Sequence, residues 1–96
     1  MGFKDVKEKV IKDLVDGNYA HEARNNIDEK NLLLVGKISA AEVVEIIKKC
    51  GGNNYKSFPH YLDSQIKVHE LKVRAWYVKF YFDPDTLFIS VHKQEF

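Results

Sequence analysis

Residues 75–93 read AWYVKFYFDPDTLFISVHK. Trp76, Val78, Phe80 and Phe82 alternate with Tyr77, Lys79 and Tyr81, and after Asp83-Pro84-Asp85-Thr86 the alternation returns as Leu87, Ile89 and Val91 against Phe88, Ser90 and His92. A period of two marks a strand with one buried and one wet face, and Asp-Pro-Asp between two such runs is turn chemistry. The stretch therefore predicts an antiparallel hairpin. With Asp83–Thr86 as a four-residue turn, the apolar face pairs Phe82–Leu87, Phe80–Ile89, Val78–Val91 and Trp76–Lys93. The opposite face pairs Tyr81–Phe88, Lys79–Ser90 and Tyr77–His92. A slip of one residue would set apolar against polar side chains along the whole ladder. The pattern thus predicts a phenol and an imidazole side by side, their Cβ atoms about 5 Å apart, with Lys79 one step along the same face.

Outward from the hairpin, Tyr55–Leu62 and Ile66–Val73 are also strand-like, joined at Asp63-Ser64, and the hairpin strands themselves are expected over Ala75–Phe82 and Leu87–Lys93. The N-terminal half is helical. Phe3, Val6, Val10 and Leu14 recur at helical spacing over residues 3–16, and Gly17-Asn18 is a C-terminal cap. A second helix is expected from Tyr19 to Lys30, with Ala20, Ala23 and Ile27 inward. NLLLVGKI fits either a helix end or a short strand. Ser39-Ala40-Ala41-Glu42 is a capping box that opens a third helix running to Cys50, stopped by Gly51-Gly52. Helices followed by strands, without βα alternation, predict an α+β fold: N-terminal helices packed on one face of a C-terminal antiparallel sheet.

At 96 residues and 11.2 kDa the chain, 1–96, is the size of a single domain. A formal charge of +1 argues against a general polycation, so contact with nucleic acid would need a focused site. The apolar runs are far shorter than the ~20 residues of a membrane span, and MGFKDVKEKV has no apolar leader core. With a lone Cys50, these features predict a cytoplasmic protein.

Several chemistries lack candidates. There is no GxSxG, no GxxxxGK phosphate loop, and no evident base for Cys50. His60, Asp63, His69 and His92 lack HxxxH or HxH spacing, so neither a metal nor another cofactor is expected. His21 and Arg24, one turn apart on the expected second helix, would share a side.

NYKSFPHYLDSQI (54–66), WYVKFYF (76–82) and LFISVHK (87–93), and more faintly LVDGNYAHEARNNIDEKNL (14–32), resemble the MqsR toxins, motility and quorum-sensing regulators of the RelE-like messenger-RNA interferase superfamily. The resemblance implies a RelE-like toxin fold and a toxin of a type II toxin–antitoxin system. Such a protein cleaves mRNA without a metal and is held inactive by a cognate antitoxin. It also implies site residues at Lys56 and Tyr77. The family's C-terminal lysine falls on His92, and its glutamine falls near Val68 and His69, so both positions depart from the pattern.

RNA cleavage by attack of the 2′-hydroxyl needs a base, an acid for the leaving 5′-oxygen, and cationic stabilisation of the phosphorane. Histidine, with an ordinary pKa of about 6.5, suits acid–base duty better than the lysine it replaces. The expected catalytic set is Lys56, Tyr77, His92 and His69, with His69 as complementary acid or base. Arg74, Lys79 and Tyr81 are expected to contact substrate. Each has a plainer reading as a solvated strand residue. A non-catalytic RNA- or protein-binding module of the same fold is the alternative.

Overall fold

The computed structural model describes residues 2–93. Helix α1 (Phe3–Asp16) buries Val6, Val10, Asp13 and Leu14 and ends at Gly17, whose φ of 76° is the left-handed conformation that glycine adopts freely. The capping box forms as expected at the start of α3 (Ala40–Lys48): the Glu42 N–H donates to Ser39 Oγ at 3.1 Å, and the Ser39 N–H donates to Glu42 Oε1 at 3.2 Å.

The chain is α+β, and its sheet is mixed rather than wholly antiparallel. Strands β1 (Tyr19–His21), β2 (Tyr55–Pro59), β3 (Lys67–Val73), β4 (Trp76–Phe82) and β5 (Thr86–Lys93) lie in the order β1-β5-β4-β3-β2. β1 runs parallel to β5 and every other pairing is antiparallel. The helix expected over 19–30 is therefore mostly absent: its first three residues form β1, and only the single turn α2 (Ile27–Lys30) is helical. The alanine spacing that suggested a helix is outweighed by the backbone hydrogen bonds that the free edge of β5 offers, extended by the Glu22 N–H donating to Phe88 O at 2.9 Å. Farther along that edge, Asn31 bridges to Val91 and the Leu32 N–H donates to Val91 O. The ambiguous 31–38 segment is thus bends and turns.

The strand bounds also contract. Residues 60–66 form a loop, and Arg74-Ala75, both at positive φ, make a two-residue turn between Val73 and Trp76. In the last hairpin the expected pairs Trp76–Lys93, Tyr77–His92, Val78–Val91 and Lys79–Ser90 are present, and then the register shifts: Phe80 faces Phe88, Tyr81 faces Leu87 and Phe82 faces Thr86. The shift has a local cause. Thr86 is wholly buried, its N–H and hydroxyl donating to Asp13 Oδ2 at 3.0 and 2.8 Å. This draws Thr86 out of the turn into the strand and shortens the connection to Asp83–Asp85. A bulge at Ile89 absorbs the extra residue, and Phe88, expected on the wet face, enters the core against Phe80.

One face of the sheet carries Leu71, Val78, Phe80, Phe88 and Val91 into a core shared with Val6, Val10 and Leu14 of α1 and Val43, Val44 and Ile47 of α3. The other face, away from these helices, holds Lys56, Glu70, Lys72, Tyr77, Lys79, Tyr81, Ser90 and His92 by strand alternation. Among the described residues no helix is long and apolar enough to cross a membrane.

Candidate active site on the outer sheet face

Tyr77 and His92 are cross-strand partners whose rings stack, with centroids 5.2 Å apart and planes inclined at 24°. Both are partly exposed. His92 Nδ1 lies 3.0 Å from Lys93 O. A carbonyl can only accept, so in this contact Nδ1 carries a proton, which leaves Nε2 as the ring nitrogen that can exchange one with a substrate.

On its other side the Tyr77 hydroxyl donates to Glu70 Oε2 at 2.8 Å. Burial, then that hydrogen bond and the charge of Glu70, push the phenol well above its ordinary value. Tyr77 therefore stays protonated and acts as a donor, not a base. Glu70 itself is ringed by cations. Lys56 and Lys79 are its cross-strand neighbours on either side, and Lys72 Nζ approaches its carboxylate at 3.4 Å. Lys72 and Lys79 also lie over the Tyr77 ring, at 5.6 and 6.0 Å from its centroid.

Arg24 comes from the loop after β1. Its guanidinium donates to Ser90 Oγ and, at 3.4 Å, to Ile89 O, hydrogen bonding to a hydroxyl and a carbonyl rather than a carboxylate. It opposes the upward shift of Tyr77 and, after burial, is the next influence lowering the Lys79 ammonium. Arg24, Lys79 and Tyr77 thus form one electrostatic neighbourhood. The face concentrates positive charge that the net charge of the chain does not reveal, the condition for holding a phosphate backbone.

The expected residues divide. Tyr77, His92 and Lys79 come together. Lys56 is exposed on the same face but three strands from His92, about 14 Å by strand spacing. It neighbours Glu70 rather than the imidazole. Arg74 is exposed on the β3–β4 turn, at the His92 end of the sheet. Tyr81 faces outward beneath His60, ring centroids 5.2 Å apart; burial and then the Glu22 carboxylate push its hydroxyl up to about 12. His21 does not share the side of Arg24 and packs on Tyr19 and Phe88.

His69 is the correction. It pairs with Phe80 and is 3% exposed on the helix-covered face, against Tyr55, Phe80 and Phe82, with the Tyr55 hydroxyl 2.9 Å from its Nδ1. Burial, then the charge of Lys67, hold it down at about 4. His69 therefore cannot act beside Tyr77 and His92. Glu70, one residue on, occupies the place the sequence reading gave to His69. The signal was present in KVHELKV, where the period of two groups His69 with Leu71 and Val73, and Glu70 with Lys72.

No family model, no curated protein and no solved structure matches the chain.

Proposed function

We propose that the chain is a metal-independent endoribonuclease, a toxin of MqsR type with a RelE-like fold, acting on mRNA in the cytoplasm and held in check by a cognate antitoxin. The observation that carries the reading is the Glu70–Tyr77–His92 array on a cation-bearing sheet face. In the proposed reaction the Glu70 carboxylate takes the proton of a 2′-hydroxyl as its oxygen attacks the adjacent phosphorus. Protonated His92 gives its proton to the departing 5′-oxygen. The P–O5′ bond breaks, leaving a 2′,3′-cyclic phosphate and a 5′-hydroxyl. Lys79 and Arg24 stabilise charge on the phosphorane, Tyr77 orients Glu70, and Lys56 and Arg74 hold flanking phosphates. The resemblance supplies the toxin class; the array supplies an acid, a base and cations on one surface.

The test is purified protein on single-stranded RNA in the presence of a chelator. Cleavage with 2′,3′-cyclic ends is expected, abolished by a 2′-deoxy sugar at the cut and lowered about 10²–10⁴-fold by His92→Ala. The separation of Lys56 from His92 favours, as a second reading, a module that binds RNA or protein without cutting. RNA bound tightly and recovered intact would decide for it.

A further inference from the structure

Beyond the array, the outer face has a second aromatic centre. The loop after β2 turns back across the sheet and is held by its own hydrogen bonds: the His60 N–H donates to Ile66 O at 2.9 Å, the Ile66 N–H to Asp63 O at 3.0 Å, and the Gln65 N–H to Asp63 Oδ1 at 3.0 Å. His60 is 6% exposed. The Leu62 N–H donates to its Nδ1 at 3.0 Å, which makes Nδ1 the acceptor and leaves the proton on Nε2, directed at both oxygens of Glu22 at 3.3 and 3.2 Å. His60 meets Tyr81 nearly at right angles, ring centroids 5.2 Å apart, and stacks on Tyr61, centroids 4.9 Å apart and planes within 16°. Tyr61 is 83% exposed. An aromatic ring thus lies flat against a buried, doubly anchored imidazole, with its other side turned to water.

We propose that the His60–Tyr61 stack is a nucleobase subsite, where an unpaired base near the cleaved phosphate lies on the exposed face of Tyr61. The inference rests on the RNA-cleaving reading and extends it. Tyr77, Lys79 and Tyr81 are successive outward residues of β4, so the array and the stack stand about 14 Å apart along that strand, with Lys79 between them. A strand whose phosphate sits by His92 and Lys79 leads its next bases toward Tyr61. Stacking on aromatic rings is the general means of gripping single-stranded nucleic acid.

The test uses His92→Ala protein, so that the RNA stays whole, and a series of short single-stranded RNAs, each carrying one abasic ribose. Binding is read by fluorescence anisotropy. Tyr61→Ser should weaken binding of intact RNA about 5- to 150-fold, the range expected for one stacked base. Tyr61→Phe should retain it. One abasic position should weaken binding to Tyr61-containing protein but make no further difference to the Tyr61→Ser variant. At 83% exposure the substitution leaves the core untouched, which circular dichroism would check. If cleavage occurs yet Tyr61→Ser binds within twofold, or if the abasic and Tyr61→Ser losses simply add, the subsite is refuted and the nuclease reading stands. If RNA is neither bound nor cut, both fall.

Discussion

Glu70 accepts a 2.8 Å hydrogen bond from the Tyr77 hydroxyl across β3 and β4. The bond assigns the two residues unequal parts. Glu70→Gln removes the proposed base and should lower single-turnover cleavage about 10²–10⁴-fold. Tyr77→Phe keeps the ring on His92 and loses one positioning hydrogen bond, for which a loss of about tenfold is expected. Equal damage from the two variants would place the phenol itself in the proton transfer.

The cations of the outer face should be visible in salt dependence. Each phosphate contact on a single strand contributes about 0.7 to the slope of log affinity against log salt. Lys79→Ala and Arg24→Ala should each flatten that slope by about that amount, whereas Lys12→Ala, on the exposed side of α1, should leave it unchanged. Titrations at several salt concentrations check this.

His69 makes stability depend on pH. Its folded-state pKa of about 4 lies below the ordinary imidazole value, so between the two the unfolded chain binds more protons than the folded one. Its contribution is complete above about pH 6.5 and drains away as pH falls through about 4, by up to about 3 kcal/mol. His21, lowered by burial, adds to the same trend. Urea unfolding at a series of pH values should show the decline, and His69→Gln should flatten it. An unchanged slope in that variant would mean the imidazole is not the source.

Asp13 ties the end of α1 to the start of β5. Asp13→Ala strands the buried N–H and hydroxyl of Thr86 and should cost roughly 2–4 kcal/mol. The measurement is the urea midpoint at neutral pH. Thr86→Val, which retains the N–H donor and loses only the hydroxyl, should cost less.

Much of this was legible from side-chain periodicity and caps: α1, the Ser39–Glu42 box, the strand-rich second half, and the Tyr77–His92 pairing. What escaped depended on partners distant in sequence. Nothing local in Tyr19–His21 says that β5 has a free edge for it to join. Nothing in the turn says that Asp13 will capture Thr86, so neither the bulge nor the inward swing of Phe88 could be foreseen. The misplaced His69 was different in kind. Its alternation with Glu70 is readable in KVHELKV, where the acid–base chemistry of histidine and the period of its strand point to opposite faces. Arg24 reaches the outer sheet face from a loop, not from the helix on which it is expected.

β5 lies inside the sheet between β1 and β4, yet it is the last strand among the described residues, and it is gripped by residues from the first third: Asp13 through Thr86, β1 along Phe88, Arg24 at Ser90, and Asn31 at Val91. Pairings between such remote segments close slowly, because a long loop must be ordered before they form. One of these closures brings Arg24 over the sheet to Ser90, whereas the β4–β5 hairpin by itself seats His92 against Tyr77. On the proposed reading, a collapsed chain that has not yet made those pairings lacks the Arg24 contact at Ser90, and the pace of folding sets how soon a newly made molecule could cut RNA.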